Sequence, residues 1–432
     1  MNDSLYDTYL ASRTVTTDSR RITPGCIFFA LRGEHFDGNA YVPDALRQGA
    51  ALCVTSDRRY EGEARCMVVD DVPATLQALA REHRRHLTIP VVGITGTNGK
   101  TTTKELVHTV LSRRYRTAAT VGNLNNHLGV PLTLLAIPAD AEVAVVEMGA
   151  NHPGEIEFLC GLADPDCGLV TNVGRAHLEG FGSFEGVVQT KTELYRHLAA
   201  KRGLVFVNAD NDILTSHLSP LTSHLSSLTY GTAAGADVHG SHVADTPFMK
   251  FYFEVGDNVY TVQSQLLGGY NFDNCMAAVA VGLRFGVDPF DIKEAIEAYR
   301  PANQRSEWKQ TARNSLYLDC YNANPSSMAA AVASFRALEA EHKMAIVGGM
   351  HELGAAEREE HERLVAMLDG CRLEQCLLVG PEFDGISLPH PMQRFADTAA
   401  VHTWLKEHPF SGATVLVKGS NTNRLWTLEE LL

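Results

Sequence analysis

The stretch GITGTNGKTTTKEL, Gly93 to Leu106, constrains the fold of this chain more than any other part of its sequence. It begins inside the apolar run Val91 to Thr95 and leads into an amphipathic pattern that continues to about Arg113. The order required is therefore strand, glycine-rich turn, helix. Such a turn aims successive backbone N–H groups and the helix N-terminus at one point, where an anion is held by hydrogen bonds and by the helix dipole. Gly96, Thr97, Asn98, Gly99, Lys100, Thr101 and Thr102 are the candidate nucleotide contacts. Lys100 would reach the outer phosphates, and the Thr101 or Thr102 hydroxyl would hold Mg²⁺. The stretch is a variant of the G-x-x-x-x-G-K-[ST] pattern, because Ile94 stands in place of its first glycine, between Gly93 and Gly96. ATP with magnesium is the expected ligand.

The pattern around this turn is a repeated alternation of apolar strands and helices. Strands are expected at Val91 to Thr95, Val143 to Glu147, Gly168 to Val173 and Gly203 to Asn208, with a helix from about Lys100 to Arg113. Continuous apolar strands separated by helices predict a doubly wound, mostly parallel sheet covered on both faces. Before it, Cys26 to Leu31, Ala51 to Thr55 and Cys66 to Val69 read as strands. A helix from about Ala74 to Leu87 follows, and its basic run Arg81 to His86 suits a helix C-terminus. After the polar stretch Arg300 to Gln304, strands at Ser315 to Asp319, Met344 to Gly348, Gln375 to Val379 and Ala413 to Val417 alternate with three helices. This predicts a second, Rossmann-like sheet. At 432 residues the chain has room for three α/β domains, expected at 1–88, 89–301 and 302–432. TSHLSPL and TSHLSSL, between Thr215 and Leu228, form a near duplication whose polar content predicts a surface connection.

Composition excludes several classes. The chain has 37 Lys plus Arg against 51 Asp plus Glu, a net charge of −14, which is the wrong sign for a nonspecific nucleic-acid binder. No run of 18 apolar residues is present and the first ten residues lack a basic, apolar leader, so neither membrane insertion nor secretion is expected and the cytoplasm is. The nine Cys contain no C-x-x-C pair and read as reduced, structural thiols.

Several further motifs occur in a fixed order: TTDSR (Thr16 to Arg20), FFALRGEHFDGNAYV (Phe28 to Val42), GNLNNHLGVPLTLL (Gly122 to Leu135), EMGANHPGEI (Glu147 to Ile156), TNVGRAHLEGFGS (Thr171 to Ser183), TKTEL (Thr190 to Leu194), DCYNANPSSM (Asp319 to Met328), GGMHELG (Gly348 to Gly354) and VKGS (Val417 to Ser420). With GTNGKTTT they span nearly the whole chain, which resembles the Mur ligases, ATP-dependent amide-forming enzymes of peptidoglycan synthesis. Within that family, YNANP and HELG favour the activity that joins D-alanyl-D-alanine to UDP-N-acetylmuramoyl-tripeptide. The chemistry suits such a cation-rich site: a carboxylate must first become an acyl phosphate before an amine displaces phosphate, so several negative groups have to be brought together.

The resemblance implies a role for each matching residue. Glu147 and His177 would hold two Mg²⁺ ions together with Thr101 and a carbamylated Lys191; otherwise His177 is a structural hydrogen bonder and Lys191 an exposed helix residue paired with Glu193. Asn274, Arg305 and Asp319 would contact base, phosphate and ribose, although Asn274 also suits a helix N-terminus and Asp319 a strand-end cap. Ser19, Arg20, Arg32 and Gly33 would hold the uridine diphosphate. Asn123, Asn125, Asn126 and His127 would meet the tripeptide end, with Asn126 counted among the catalytic residues beside Lys100, Glu147, His177 and Lys191. Asn322 and Asn324 would face the same cleft from the third domain, whose closure would complete the site. Two departures from the family pattern are Gln304, where glycine is common before Arg305, and Gly349, where GDM is frequent. A monomer is expected. The alternatives are a ligase adding the third amino acid, whose DNPR-type signature is absent, a folylpolyglutamate synthetase, which lacks the first domain, and a nucleotide-gated scaffold, which has no use for these cations.

Overall fold

The computed structural model describes residues 3–245, 247–301 and 304–432, so Met1, Asn2, Thr246, Ala302 and Asn303 lie outside the described residues, and with them the start of the expected third domain at 302. Three sheets, in three α/β domains, follow one another along the chain.

The first sheet has four parallel strands in chain order: Val15–Thr16, Ile27–Phe29, Leu52–Thr55 and Cys66–Val68. All four point the same way, so the turns after Thr16, Phe29 and Thr55 gather at one edge. Asn39, nearly fully buried, ties the last two together: its Oδ1 accepts from the Thr55 hydroxyl at 2.6 Å and the Ser56 N–H at 3.1 Å. The helix Val72–His86 is started by Asp71, which accepts from the Ala74 N–H at 2.8 Å. The basic run at its end does more than complement that helix's own dipole. Arg84 is buried and donates to the carbonyls of Ala163 and Asp164 and to the Asp166 carboxylate, so it caps the C-terminus of the helix Glu155–Ala163 in the next domain.

The central sheet has nine strands. Five of them run in the order Leu204–Asn208, Cys167–Val170, Val91–Thr95, Val143–Glu147, Thr117–Ala119, all parallel. The chain leaves Val91–Thr95 for one side of the sheet and later returns to its other side, so the glycine-rich turn sits where the strand order reverses, the place where ligands collect in open α/β sheets. Ser226–Gly231 extends the parallel part, and Val238–Asp245, Phe248–Val255 and Asn258–Leu267 add an antiparallel meander absent from the expected strands. Buried Met249, Phe251 and Phe253 alternate along it, the period-two signal of a half-buried strand. The duplicated segment is not a plain connection: Thr215 to Leu218 closes the helix Asp212–Leu218, while Ser226 to Leu228 enters a strand.

The third sheet runs in the order Glu307–Gln310, Ser315–Asp319, Thr414–Lys418, Lys343–Gly348, Gln375–Val379, Met392–Phe395, with only its first pair antiparallel. The helices Pro325–Ala337, Glu357–Asp369 and Thr398–Glu407 cover it, as the alternation of strands with three helices predicts. All nine Cys are unpaired. No helix among the described residues is long and apolar enough to cross a membrane.

Candidate active site

A cleft of about 720 Å³ opens at the glycine-rich turn, between the central and third domains. The turn can take its shape only with glycine at two positions. A Cβ at Gly96 (φ 141°) would stand 2.0 Å from the Thr171 hydroxyl, and one at Gly99 (φ 76°) 2.4 Å from Oδ1 of Asn274. The neighbouring strand end clamps the loop: the Thr171 hydroxyl and the Asn172 amide donate to the Asn98 carbonyl at 2.6 and 3.0 Å, and the Asn98 N–H donates back to Asn172 Oδ1 at 3.0 Å. The Thr97 hydroxyl accepts from the Gly174 N–H at 3.0 Å. Loop N–H groups are thereby preorganised at the start of the helix Lys100–Leu111.

Lys100 folds back over this loop and donates to the carbonyls of Gly96 and Thr97 at 2.7 and 2.8 Å. Burial pushes its ammonium down to about 8, and Arg305 adds repulsion while Glu147 opposes both. An arriving polyphosphate would relieve that burial cost, since it supplies the countercharge the ammonium lacks. Glu147 ends its strand almost fully buried. Its Oε1 accepts from the Thr101 hydroxyl at 3.2 Å and from the Asn125 amide at 2.7 Å, and its Oε2 is buried without a partner. A carboxylate oxygen left bare beside a threonine hydroxyl fits a hard cation such as Mg²⁺, which takes one or two protein oxygens and completes its shell with phosphate and water.

The second half of the expected metal cluster is not gathered in the same way. Among the described residues no three His, Cys, Asp or Glu side chains stand together as a ligand set. His177 lines the cleft, but its Nδ1 is taken by the Glu352 carboxylate of the third domain. Burial lowers its pKa, with Glu352 acting the other way. Lys191 is not an exposed helix residue: it is buried behind the wall of the cleft, where Nζ donates to the Ala150 carbonyl at 2.9 Å and lies 5.1 Å above the Phe181 ring. Burial first, then the Lys100 charge, hold its pKa well below the usual lysine value.

The other expected residues divide by position. Thr97, Asn98, Gly99, Thr102, Asn123, Asn125, Asn126, His127, Asn274, Arg305, Asp319 and Asn322 line the cleft. Asn126 spends its Oδ1 on the backbone N–H groups of Leu128 and Gly129, which fixes the start of the helix Gly129–Leu135. The Asn274 amide is likewise committed, accepting from the Thr103 hydroxyl at 3.0 Å and donating to Asn271 at 2.9 Å in the first turn of the helix Asn271–Arg284. Asp319 is more than a strand-end cap: it receives the buried Lys418 ammonium at 2.6 Å, and Arg305 stacks 3.5 Å from the Tyr321 ring centroid. Asn324 caps the helix Pro325–Ala337 and donates to Asn98 Oδ1 at 2.8 Å, which fastens the third domain to the loop. Ser19, Arg20, Arg32 and Gly33 lie away from this cleft, at the gathered edge of the first sheet. Arg20 holds Asp18 through two bonds of 2.9 Å, and Arg32 pairs with Asp37 at 3.6 Å. Gln77 of the first domain donates to the His127 carbonyl at 3.1 Å, so that domain abuts the asparagine loop directly.

Lys418, Asn172 and Ser326 line the cleft without having been assigned a role from sequence. Lys418 and Asn172 belong to the motifs VKGS and TNVGRAHLEGFGS, which carried the signal. The pairing of Arg175 with buried Glu360 at 3.0 Å joins positions 185 residues apart and leaves no local trace.

Comparison with known proteins agrees with the motif order. The Mur ligase family catalytic domain matches residues 12–87, the Mur ligase middle domain 94–282, and the Mur ligase glutamate ligase domain 304–421. The UDP-N-acetylmuramoyl-tripeptide–D-alanyl-D-alanine ligase of Bacillus subtilis is 36% identical over 85% of this chain and 79% of its own length. The crystal structure of MurF from Acinetobacter baumannii superposes with a TM-score of 0.87 at 31% identity, over 96% of this chain and 92% of that one. That of MurF ligase from Thermotoga maritima in complex with ADP gives 0.85 at 28%, over 100% and 98%.

Proposed function

We infer the activity from one premise: this chain belongs to the Mur ligase family. It is an ATP-dependent ligase of peptidoglycan synthesis that joins D-alanyl-D-alanine to UDP-N-acetylmuramoyl-tripeptide. The observation that carries the chemistry is the phosphate loop at the domain cleft, with Lys100 above it and the bare Glu147 oxygen beside it.

In the reading proposed here, the loop N–H groups from Gly96 to Thr102 and Lys100 bind the nucleotide phosphates, while Arg305 and Asp319 contact its outer parts. Bound Mg²⁺, held by Thr101 and Glu147, would supply positive charge where the γ-phosphoryl group meets the peptide carboxylate. Asn123, Asn125 and His127 orient that carboxylate, with Asn126 fixing the loop they stand on. Attack of the carboxylate oxygen on the γ-phosphorus breaks the bond to ADP and forms an acyl phosphate. The dipeptide amine, steered by Asn322 from the third domain, then attacks the acyl carbon, the bond from that carbon to the phosphate oxygen breaks, and the departing phosphate takes up the proton the amine gives up. Docking of the third domain keeps water from the acyl phosphate. Ser19, Arg20, Arg32 and Gly33 hold the uridine diphosphate at the far end.

The finer parts of this reading are a second Mg²⁺ at His177 and a carbamate on Lys191. The burial of the Lys191 amine, which pushes its pKa down, supports the carbamate, because CO₂ adds only to an unprotonated amine. The three family matches, separated near residues 88 and 301, support boundaries at those places, with uridine nucleotide, ATP, and nucleotide plus dipeptide as the successive charges of the three domains. The chain's nucleotide substrates, ATP and a UDP-linked peptide, support a cytoplasmic setting.

The test is phosphate release from ATP with UDP-N-acetylmuramoyl-tripeptide, with and without D-alanyl-D-alanine. Release that requires both is expected. Equal release with glutamate in place of the dipeptide would assign the chain to a different amide ligase. Lys191→Ala should nearly stop turnover while ATP still binds, and bicarbonate dependence of the wild type would separate the carbamate from a purely structural lysine.

A further inference from the structure

Glu382 of the third domain carries a buried carboxylate that the established site does not use. Its side chain is only 9% exposed, Oε1 stands 3.2 Å from Nδ1 of His351, and Oε2 is buried without a partner. The strands that end beside it, Lys343–Gly348 and Gln375–Val379, are parallel neighbours, so the carboxylate sits at the carboxyl edge of the third sheet, where ligands of open α/β sheets collect. Two glycines make room for it: a Cβ at Gly349 would stand 2.3 Å from Oε2, and one at Gly380 (φ 129°) 2.1 Å. Gly349 is the position where the family pattern frequently reads GDM, and in this chain a carboxylate from the next strand end fills the space of that side chain.

The loop that begins at Gly349 lies against the part of the cleft that holds Glu147. Its Glu352 reaches His177, which lines the cleft, and a Cβ at Gly354 would stand 3.7 Å from the Glu179 Cβ. The helix Leu178–Phe181 that follows His177 packs in turn on the segment just past Glu147, since a Cβ at Gly180 would stand 2.2 Å from the Asn151 carbonyl. His351 directly precedes Glu352, so their Cα atoms are about 3.8 Å apart. Its side chain is 42% exposed.

A carboxylate can only accept, so the His351 nitrogen facing Glu382 is the one that carries hydrogen, and Nε2 keeps a free lone pair. The incoming dipeptide needs such an acceptor. An α-amino group ionises at about pH 8, so at neutral pH the dipeptide arrives as an ammonium, whose nitrogen has no electron pair with which to attack. We propose that His351, backed by Glu382, is the base of the second half-reaction: Nε2 takes a proton from the dipeptide ammonium, and the pair of the broken N–H bond stays on the amine nitrogen for its attack on the acyl carbon. The imidazolium so formed faces the Glu382 carboxylate, whose charge no other donor neutralises at Oε2, and later returns its proton to water. The proposal deepens the ligase reading given above and rests on it.

The experiment uses the full chain with ATP and UDP-N-acetylmuramoyl-tripeptide, offers either D-alanyl-D-alanine or hydroxylamine to the acyl phosphate, and measures phosphate release. Hydroxylamine is unprotonated at neutral pH and needs no base. His351→Ala should lower kcat with the dipeptide about 100-fold, the lower end of the range for a positioned base, and leave release with hydroxylamine within about twofold of wild type. Free imidazole should restore part of the dipeptide rate, since the half-exposed side chain leaves room for it. Glu382→Gln keeps the shape and an acceptor oxygen but removes the charge, and should lower the dipeptide rate about tenfold with hydroxylamine release unchanged. Equal losses with both acceptors, or a lost dipeptide rate that imidazole does not restore, would overturn the base role in favour of a structural one. Dipeptide ligation at the wild-type rate in His351→Ala would overturn it outright. Wild-type protein that releases no phosphate with either acceptor would overturn the ligase reading beneath the proposal.

Discussion

The central domain meets its two neighbours through seams of opposite character. Toward the first domain the seam is built on a shared apolar core, in which Leu5, Tyr9, Ile27, Phe29, Leu76 and Leu79 are continuous with Val130, Leu134, Val146 and Leu159, and Arg84 and Gln77 add polar bonds to it. Toward the third domain it is chiefly polar, made of Asn98 with Asn324, Arg175 with Glu360, His177 with Glu352, and Tyr270 with Ser306 at 2.7 Å and Tyr317 at 2.8 Å. The third domain instead buries most of its own apolar residues in separate clusters. A shared core can be opened only by exposing hydrocarbon to water, whereas polar partners regain water when they part. The contrast predicts that the first two domains move as one body and that the third docks and undocks over the phosphate loop, as a reaction needs when it must admit three substrates and then exclude water.

The largest test of that contrast lies in the apolar seam. Leu79, fully buried, stands on the helix that packs against Gly129–Leu135 and Glu155–Ala163 of the central domain. Leu79→Ala should cost about 2–5 kcal/mol in urea unfolding, with the first two domains still melting in one step. A first domain that melts alone would break the comparison. The polar seam should respond differently to Glu360→Ala. Arg175, left behind, is half exposed and can be rehydrated, so the loss should be about 1–2 kcal/mol of docking, roughly tenfold in turnover. The urea transition of the first two domains should not move, and small-angle scattering with nucleotide and both substrates should show a more extended particle. A shift in that transition as large as that of Leu79→Ala would show that the seams are not distinct.

The smallest effect is that of pH. Lys100 has its pKa lowered to about 8 in the nucleotide-free protein, and bound phosphates raise it again. ATP affinity should therefore be fully present below about pH 8 and fall above it, by at most about tenfold per unit. Over the same range the fold itself gains from Lys100, because a lysine with a lowered folded pKa leaves the unfolded chain binding more protons, and stability then rises with pH. The apolar seam stays silent: its buried His83, lowered to about 4 chiefly by burial, is neutral throughout. Isothermal titration from pH 7 to 9 checks the slope, and a flat profile would remove Lys100 from the phosphate site.

Local sequence went furthest where local chemistry decides the structure. The turn from Gly96 to Thr102 was legible because only glycine tolerates its backbone and only a helix start offers so many free N–H groups. The central parallel strands, such as Val91–Thr95 and Val143–Glu147, were legible as unbroken apolar runs, whereas the parallel strands Val15–Thr16, Thr117–Ala119, Ser226–Gly231 and Met392–Phe395, short or partly polar, were not. The meander Val238–Asp245, Phe248–Val255 and Asn258–Leu267 was not, since its alternation is interrupted by polar residues and its identity depends on which strand it pairs with. Among the site residues, Glu147 and Lys100 stand where their motifs put them. Asn126 and Asn274 line the cleft, yet spend their side chains on a helix start and on two neighbouring residues. Such commitments depend on the atoms that happen to be in reach.

The pentapeptide TSHLS makes the division concrete. At Thr215 it completes a helix; at Thr222 it makes a turn and enters a strand, although the residues are the same. The sequence by itself determined that this chain binds a nucleotide at a strand-to-helix turn within a set of α/β units. Tertiary structure decided which carboxylate faces which cation, and that the third domain is fastened to the central one by the polar contacts of Asn324, Glu352 and Glu360. The reason is range: backbone preference and periodicity act over a few residues, whereas a bond such as that of Arg175 to Glu360 exists only after both domains have folded and met.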